Sequence, residues 1–259
     1  MLFGIGLITD ISTQNILGCL SAPYTYPTTS FFYHEKNHFN QRQIHQDCLF
    51  CTPFFDEDTF MLRQTLAQNT LTALGWTFDN NMPADLHQCV MIAAPHTSNW
   101  DSLYTKLAFI VMNIPVKITI KDSYLKPPFG PFIRAMGGIG INRNPRQSGE
   151  KRPSMVQAMA DLFKTHPRLV ILVTPEGTRS LQPKWKTGFY HVAVQAGVPI
   201  ALAYLDYVKK EAGVGKIIYP SGDIAHDMQL IMDFYAEIQG KHPERFVLDQ
   251  QYRREKKSA

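Results

Sequence analysis

His96 and Asp101 are the first residues whose types and spacing favour chemistry. A carboxylate against one imidazole nitrogen fixes the tautomer and raises the basicity of the other nitrogen. That second nitrogen can take a proton from a substrate hydroxyl as a general base. No serine or cysteine is obviously placed as a protein nucleophile, so the substrate hydroxyl itself would attack. The alternative interpretation is a histidine at a helix cap, with Asp101 in the first helical turn.

A second polar group, Glu176-Gly177-Thr178-Arg179, follows the apolar run 169–174. In open α/β sheets, ligands bind where the strands end. Arg179 offers a planar fork for a phosphate and Thr178 offers a hydroxyl, while Gly177 permits a close backbone approach. Glu176 is expected to orient its neighbours rather than to meet an anion. The alternative is a strand-to-loop turn with a surface ion pair.

The segment between these two groups is basic and rich in glycine and proline. Phe129 and Phe132 are interleaved with those residues. Basic groups beside exposed aromatic rings fit a surface that touches phosphorylated amphiphiles. The alternative is a solvated charged face above aromatic residues of the core. The basic residues are Lys117, Lys121, Lys126, Arg134, Arg143, Arg146, Lys151 and Arg152, and the acidic ones are Asp122 and Glu150.

Taken together, these segments resemble the glycerolipid acyltransferase family, of the bacterial 1-acylglycerol-3-phosphate type. The block from His96 to Asp101 is similar to that family's His-x4-Asp motif, and residues 137–143 (GGIGINR) are similar to its Gly-x-x-Phe-Ile-x-Arg motif. Glu176-Gly177-Thr178-Arg179 is similar to its Glu-Gly-Thr-Arg motif, and Val198-Pro199-Ile200 resembles the start of its fourth motif. The motifs occur in the family's order, and the resemblance covers residues 70–220.

The resemblance implies an O-acyltransferase of phospholipid biosynthesis. Such an enzyme moves a fatty acyl group from acyl-CoA or acyl-carrier protein to the hydroxyl of a lysophospholipid-like acceptor, with 1-acylglycerol-3-phosphate favoured. His96 would be the general base and Asp101 its partner. The acceptor phosphate would be held by Gly177, Thr178 and Arg179 together with Arg143, and Glu176 belongs to the same site. No metal and no bound cofactor are implied.

Two departures from the family pattern keep other functions open. Gly140 stands where the second motif usually has a large apolar residue, and the later proline of the fourth motif is missing after Ile200. The acceptor could therefore differ, for example an amino-acid lipid or a lipid A precursor. A non-catalytic lipid-binding protein is the alternative from another class.

The elements that must position these residues alternate between strands and helices. This alternation predicts an α/β layer fold around a largely buried sheet. The resemblance implies its single-domain glycerol-3-phosphate acyltransferase-like form, with a mixed, mostly parallel sheet flanked by helices. The predicted strands are 89–94, 116–120, 169–174, 199–205 and 216–219, and the predicted helices are 58–74, 98–112, 155–164, 190–196 and 228–239.

The sequence divides into three parts. Residues 1–57 are predicted to be an extension with little regular structure, 58–240 the acyltransferase domain, and 241–259 a charged tail that frays. His45, Cys48 and Cys51 form at most half of a zinc site, so no metal is predicted. The helix 58–74 is expected to pack on the core, although an interfacial role is the alternative.

Composition excludes several classes of protein. Hydrophobic residues make up 44% and charged residues 19% of 259 residues, which excludes whole-chain disorder, collagen and coiled coil. The net charge of +4 is too weak to indicate nucleic acid, but it suits an anionic substrate or an anionic membrane surface. Four cysteines make no disulfide scaffold, and no transmembrane helix is readable. We therefore expect a cytoplasmic protein, peripheral on the cytoplasmic face of the inner membrane.

Overall fold

A computed structural model describes residues 57–141 and 153–253. Three of the sequence predictions lie outside the described residues. These are the form of the extension before residue 57, the zinc alternative at His45, Cys48 and Cys51, and the position of Arg143.

The described residues form one sheet with helices on both faces. The strands are β1 (Thr77–Asn80), β2 (Gln88–Ala93), β3 (Val116–Lys121), β4 (Gly138–Ile141), β5 (Leu169–Val173), β6 (Ile200–Asp206) and β7 (Glu211–Ile218). The helices are α1 (Glu57–Ala73), α2 (Asn99–Val111), α3 (Gly130–Ala135), α4 (Met155–Thr165), α5 (Gly188–Ala196) and α6 (Ile224–Tyr235), with short 3-10 turns at Asp122–Leu125 and Pro243–Arg245. The strand order is β1-β7-β6-β2-β5-β3-β4.

Every strand pair is parallel except β6 with β7, which is antiparallel. The predicted α/β fold with a mixed, mostly parallel sheet is therefore confirmed. Strands that are covered on both faces have continuous apolar sequences, and for this reason the sequence predicts β2 and β6. Val90 and Ile92 of β2 pack with residues of α4, α5 and α6, whereas Cys89 and Met91 face Phe109 of α2.

Most predicted elements lie within two residues of their observed bounds, and the differences have physical causes. β7 begins at Glu211 rather than at 216, because its first half is paired on both sides, by β1 and by β6. The last helix spans Ile224–Tyr235 rather than 228–239, because Asp223 caps it by accepting the N–H groups of Ala225 and His226. β1, α3 and β4 are too short to show a hydrophobic period, so the sequence does not predict them.

The segment after residue 240 differs from the expected fraying tail. Asp249 is buried and accepts the backbone N–H of Trp185 at 2.9 Å. Phe246, Leu248 and Tyr252 pack against the main core cluster. Isolated apolar residues in a charged stretch show no period, so this packing was not readable from the sequence. Residues 254–259 lie outside the described part of the chain.

α1 packs on the core through one face, as expected. Ala67 and Leu71 are buried, while Met61, Leu62 and Leu66 are exposed. Among the helices of residues 57–141 and 153–253, none combines the length and the apolar character needed to cross a bilayer.

Tyr235 connects two central strands, and this contact can be tested. Its buried hydroxyl lies 3.1 Å from the carbonyl oxygen of Ile92, near the end of β2, and 2.9 Å from that of Ala203, in the middle of β6. We expect Tyr235→Phe to lower the free energy of unfolding by about 1–3 kcal/mol in urea denaturation, because buried acceptors lose their donor. Tyr219→Phe, at a residue that is 69% exposed, is the matched control and should change little. Equal effects of the two substitutions would contradict this role of the hydroxyl.

Candidate active site

The order of the central strands brings the two predicted polar groups together. β2 and β5 are parallel neighbours, so the loops that follow them leave the sheet at the same edge. His96 follows β2 and Glu176 follows β5. The backbone N–H of His96 donates to Oε1 of Glu176 at 2.7 Å, across a separation of 80 residues in the chain. The structure thus joins the two motifs through a backbone-to-carboxylate bond.

Asp101 is the centre of the hydrogen bonding at this edge. It is 3% exposed, and its Oδ2 accepts the backbone N–H groups of Thr97 and Ser98 at 2.8 Å each. Nδ1 of His96 lies 3.4 Å from the same oxygen. Burial acts to raise the pKa of Asp101, but the hydrogen bonds from His96, Tyr207, Ser98 and Thr97 outweigh it and hold the pKa below its ordinary value. Asp101 is therefore a carboxylate at neutral pH.

The sequence left two interpretations of His96 and Asp101 open, an acid–base pair and a helix cap, and the two are compatible in the structure. Ser98 is the N-cap of α2, and its side chain accepts the N–H of Trp100. Asp101 completes a capping box by accepting the N–H of Ser98. The same carboxylate oxygen is the one nearest the imidazole, so the helix cap fixes the position of Asp101 for His96.

Tyr207 is a member of the site that sequence reasoning missed. Its hydroxyl donates to Oδ1 of Asp101 at 2.7 Å. Its ring packs edge-on against Trp76 and Tyr104. Burial and the neighbouring Asp101 raise the pKa of Tyr207 far above its ordinary value, so the hydroxyl stays a donor. The sequence carries no signal for this role, because the neighbourhood of Tyr207 and His96 depends on β6 lying beside β2 in the sheet.

Glu176 lies at the end of β5 and accepts the backbone N–H of His96. It is 3% exposed, and burial raises its pKa from 4.5 to about 7, although the N–H of His96 and the charge of His96 act in the opposite direction. Gly177 follows with φ of 68°, in the left-handed region that favours glycine. Glu176 therefore holds the backbone of His96, while the chain turns sharply away behind it.

Thr178 and Arg179 lie on the solvent side of this turn. Oγ1 of Thr178 accepts the N–H of Ser180 at 3.3 Å. Arg179 is exposed and lines an open cleft together with Ser98 and Trp100. A second, small and mostly apolar cavity lies against His96 and Asp101 on their inner side. Arg143, predicted to join Arg179, is not among the described residues, and neither is the end of the motif at 137–143.

The glycine at position 140 has a structural explanation. A side chain at Gly140 in β4 would meet Leu125, whose Cδ1 would lie 2.9 Å from the new Cβ, and the carboxylate of Asp122. The 3-10 turn Asp122–Leu125 thus fills the space that a larger residue would need. Within the described residues, no cluster of three or more His, Cys, Asp or Glu side chains is arranged to hold a metal ion.

A family model named Acyltransferase matches residues 76–205, which is half of the chain and includes His96, Asp101 and Glu176. The chain belongs to the acyltransferase family. It is 38% identical over 111 residues to the 1-acyl-sn-glycerol-3-phosphate acyltransferase of Salmonella typhimurium, and 35% identical over 111 residues to that of Escherichia coli K12. These matches cover 41% of this chain and 42% of each relative, so the chain spans less than half the length of the curated relatives it matches.

Among solved structures, this chain is similar to the 1-acyl-sn-glycerophosphate (LPA) acyltransferase PlsC of Thermotoga maritima. The identity is 17% and the TM-score 0.45, over 68% of this chain and 76% of the other. Tyr207 lies just beyond the span that the family model matches, and the packed segment after residue 240 lies well beyond it.

The raised pKa of Glu176 makes the stability of this protein depend on pH. The pKa in the folded chain, about 7, lies above the ordinary 4.5. The folded state therefore binds more protons between these values, and stability falls as pH rises through that window. Glu176→Gln keeps an oxygen acceptor for His96 but carries no charge. We expect its free energy of unfolding to exceed that of the unmodified protein by about 3 kcal/mol at pH 8 and to match it near pH 4.5.

Urea denaturation at several pH values measures this difference. Glu237→Gln, at an exposed residue of the same type, is the control and should give a flat difference across pH. If the difference in the free energy of unfolding between Glu176→Gln and the unmodified protein were also independent of pH, Glu176 would not be the source of the pH dependence.

Proposed function

We propose that this protein is an O-acyltransferase that moves a fatty acyl group from acyl-CoA or acyl-carrier protein to the hydroxyl of a lysophospholipid. The observation that carries the proposal is the Asp101–His96 pair at the end of β2, fixed by Glu176 from the end of β5. Curated relatives named 1-acyl-sn-glycerol-3-phosphate acyltransferase favour 1-acylglycerol-3-phosphate as the acceptor, in phospholipid biosynthesis.

The geometry supports a direct transfer in which His96 acts as the general base. Asp101 engages Nδ1, so Nε2 is the nitrogen left for the substrate. Nε2 takes the proton of the acceptor hydroxyl while the hydroxyl oxygen attacks the carbonyl carbon of the thioester. The carbon–sulfur bond breaks, and the thiol leaves with the proton that His96 returns. Asp101 keeps its negative charge throughout and stabilises the imidazolium, with Tyr207 holding its other oxygen.

The acceptor phosphate is assigned to the turn after β5. Arg179 is exposed at the cleft and forms no ion pair within the described part of the chain. A guanidinium group offers a planar fork that matches a phosphate. Gly177, Thr178 and Arg143 join Arg179 in this proposed role, as the family resemblance implies.

The role of His96 is tested by thiol release from long-chain acyl-CoA in the presence of 1-acylglycerol-3-phosphate. We expect release to need the acceptor and to fall by about 10²- to 10⁴-fold in His96→Ala, because the general base is lost. His226→Ala, at an exposed histidine of α6, is the control and should keep full activity.

Acyl-carrier protein donors and other lysolipids complete the panel. Activity with only another acceptor would move the assignment to that headgroup. An acceptor-dependent rate that survives in His96→Ala would overturn the proposed mechanism, and no release with any donor and acceptor would favour a non-catalytic lipid-binding protein.

We further propose that the protein meets an anionic membrane surface, on the cytoplasmic face of the inner membrane, through the 3-10 turn and α3 that follow β3. Phe129 is 70% exposed and Phe132 is 66% exposed. Lys121, Lys126 and Arg134 are exposed around them. Aromatic rings with basic neighbours suit the headgroup region of an anionic bilayer. β3 is parallel to β5, so this surface begins at the same sheet edge as His96.

Sedimentation with vesicles that contain phosphatidylglycerol tests this surface. We expect the double variant Phe129→Ser/Phe132→Ser to bind at least about tenfold more weakly, since each ring loses favourable burial in the bilayer. Tyr219→Ser, at another exposed ring, is the control. Unchanged binding by the double variant would exclude α3 as the contact.

A further inference from the structure

The cleft beside the Asp101–His96 pair is built from three separate parts of the chain. Residues 97–100 form one wall and Arg179 a second, while Lys241, His242 and Arg245 come from the segment after α6. That last segment lies outside the span of 76–205 that the family model matches. Its basic residues were predicted only as part of a charged tail.

The backbone of this segment is fixed against the loop that carries His96. The carbonyl oxygen of Gln239 accepts the N–H of Tyr207 at 2.9 Å. The N–H of His242 donates to Oγ1 of Thr97 at 3.2 Å. A Cβ on Gly240 would lie 2.9 Å from Cβ of Pro95, so the backbone approaches the loop as closely as glycine allows.

A second anchor holds the far end of the segment. Nε1 of the buried Trp185 donates to the carbonyl oxygen of Val247 at 3.2 Å, and its backbone N–H donates to Asp249 at 2.9 Å. Lys241 and Arg245 lie between the two anchors. Their backbone positions at the cleft are therefore set by the fold and do not depend on the side chains themselves.

The charge at the cleft is positive. Nζ of Lys241 lies 5.2 Å from the ring centre of Trp100, and neither Lys241 nor Arg179 forms an ion pair within residues 57–141 and 153–253. Glu244 is the acidic neighbour, with Oε1 at 3.7 Å from Nε of Arg245 and 3.5 Å from Nδ1 of His242. Lys241, Arg245 and Arg179 thus carry three positive charges against one exposed carboxylate.

We propose that Lys241 and Arg245 complete, with Arg179, a binding site for the phosphate group of a substrate. Two guanidinium forks and an ammonium group match the charge and geometry of a phosphate ester. The proposal rests on the proposed acyltransferase function and extends its substrate site to the C-terminal segment. The phosphate belongs either to the lysophospholipid headgroup, in line with the role proposed above for Arg179, or to the coenzyme A part of the donor, which would move Arg179 to the donor site.

Kinetics with two substitutions separate these sources. Lys241→Gln and Arg245→Gln change exposed side chains, and Lys216→Gln and Arg168→Gln make the same changes at exposed positions near the opposite sheet edge. We expect the first pair to raise one KM about tenfold with kcat little changed, as for a contact kept from ground state to transition state. The second pair should leave both constants unchanged.

The affected substrate identifies the phosphate. A raised KM for 1-acylglycerol-3-phosphate, with no change for monoacylglycerol, would assign the headgroup. A raised KM for acyl-CoA, with no change for the acyl thioester of N-acetylcysteamine, would assign the donor. If both KM values stay unchanged in both variants, the proposal is overturned.

A binding measurement keeps the outcome distinct from the proposed activity. Glycerol 3-phosphate and coenzyme A are titrated separately into the full-length protein by calorimetry, and we expect Lys241→Gln and Arg245→Gln to weaken one of them about tenfold. Weakened binding in a protein without transferase activity would support the site and refute the proposed function. Equal binding of both probes by all variants would refute the site even where transfer is observed.

Discussion

The site depends on keeping one carboxylate charged inside the protein. Asp101 is almost fully buried, and a buried carboxylate without partners is unfavourable by several kcal/mol. The chain compensates with donors from the start of α2, from Tyr207 after β6 and from His96 after β2. These donors converge only because β6 and β2 are neighbours in the sheet. The order of the central strands therefore keeps Asp101 charged, and the charge of Asp101 in turn raises the basicity of the His96 imidazole.

In a second carboxyl group, that of Glu176, burial outweighs hydrogen bonding in setting the pKa. Glu176 is as deeply buried as Asp101, but the hydrogen bond it accepts from the protein is the single N–H of His96 among the described residues. Its pKa therefore rises where that of Asp101 falls. The two carboxyl groups have different roles. Asp101 supplies negative charge to the imidazole, whereas Glu176, whose pKa of about 7 leaves it only partly ionised at neutral pH, positions the backbone of the same histidine.

The parts of the fold that were predictable are those with strong local patterns. β2 and β5 are apolar runs that end in polar residues, so His96 and Glu176 could be placed at strand ends and, for parallel neighbours, at one edge. Tyr207 could not be assigned in the same way, because its role depends on which strand lies beside β2. The segment from Gly240 to Asp249 was missed because its order comes from contacts with Thr97 and Trp185, distant in sequence.

The way the C-terminal segment is held has a consequence for how relatives of this chain can diverge. Its anchors are the close approach of Gly240, the backbone N–H of His242 and the carbonyl oxygen of Val247, together with the carboxylate of Asp249. The side chains at positions 241 and 245 take no part in that anchoring. Substitutions at these two positions can therefore accumulate without displacing the segment or disturbing Asp101, and the charge that the cleft offers a substrate can drift between lineages while the Asp101–His96 pair is inherited intact.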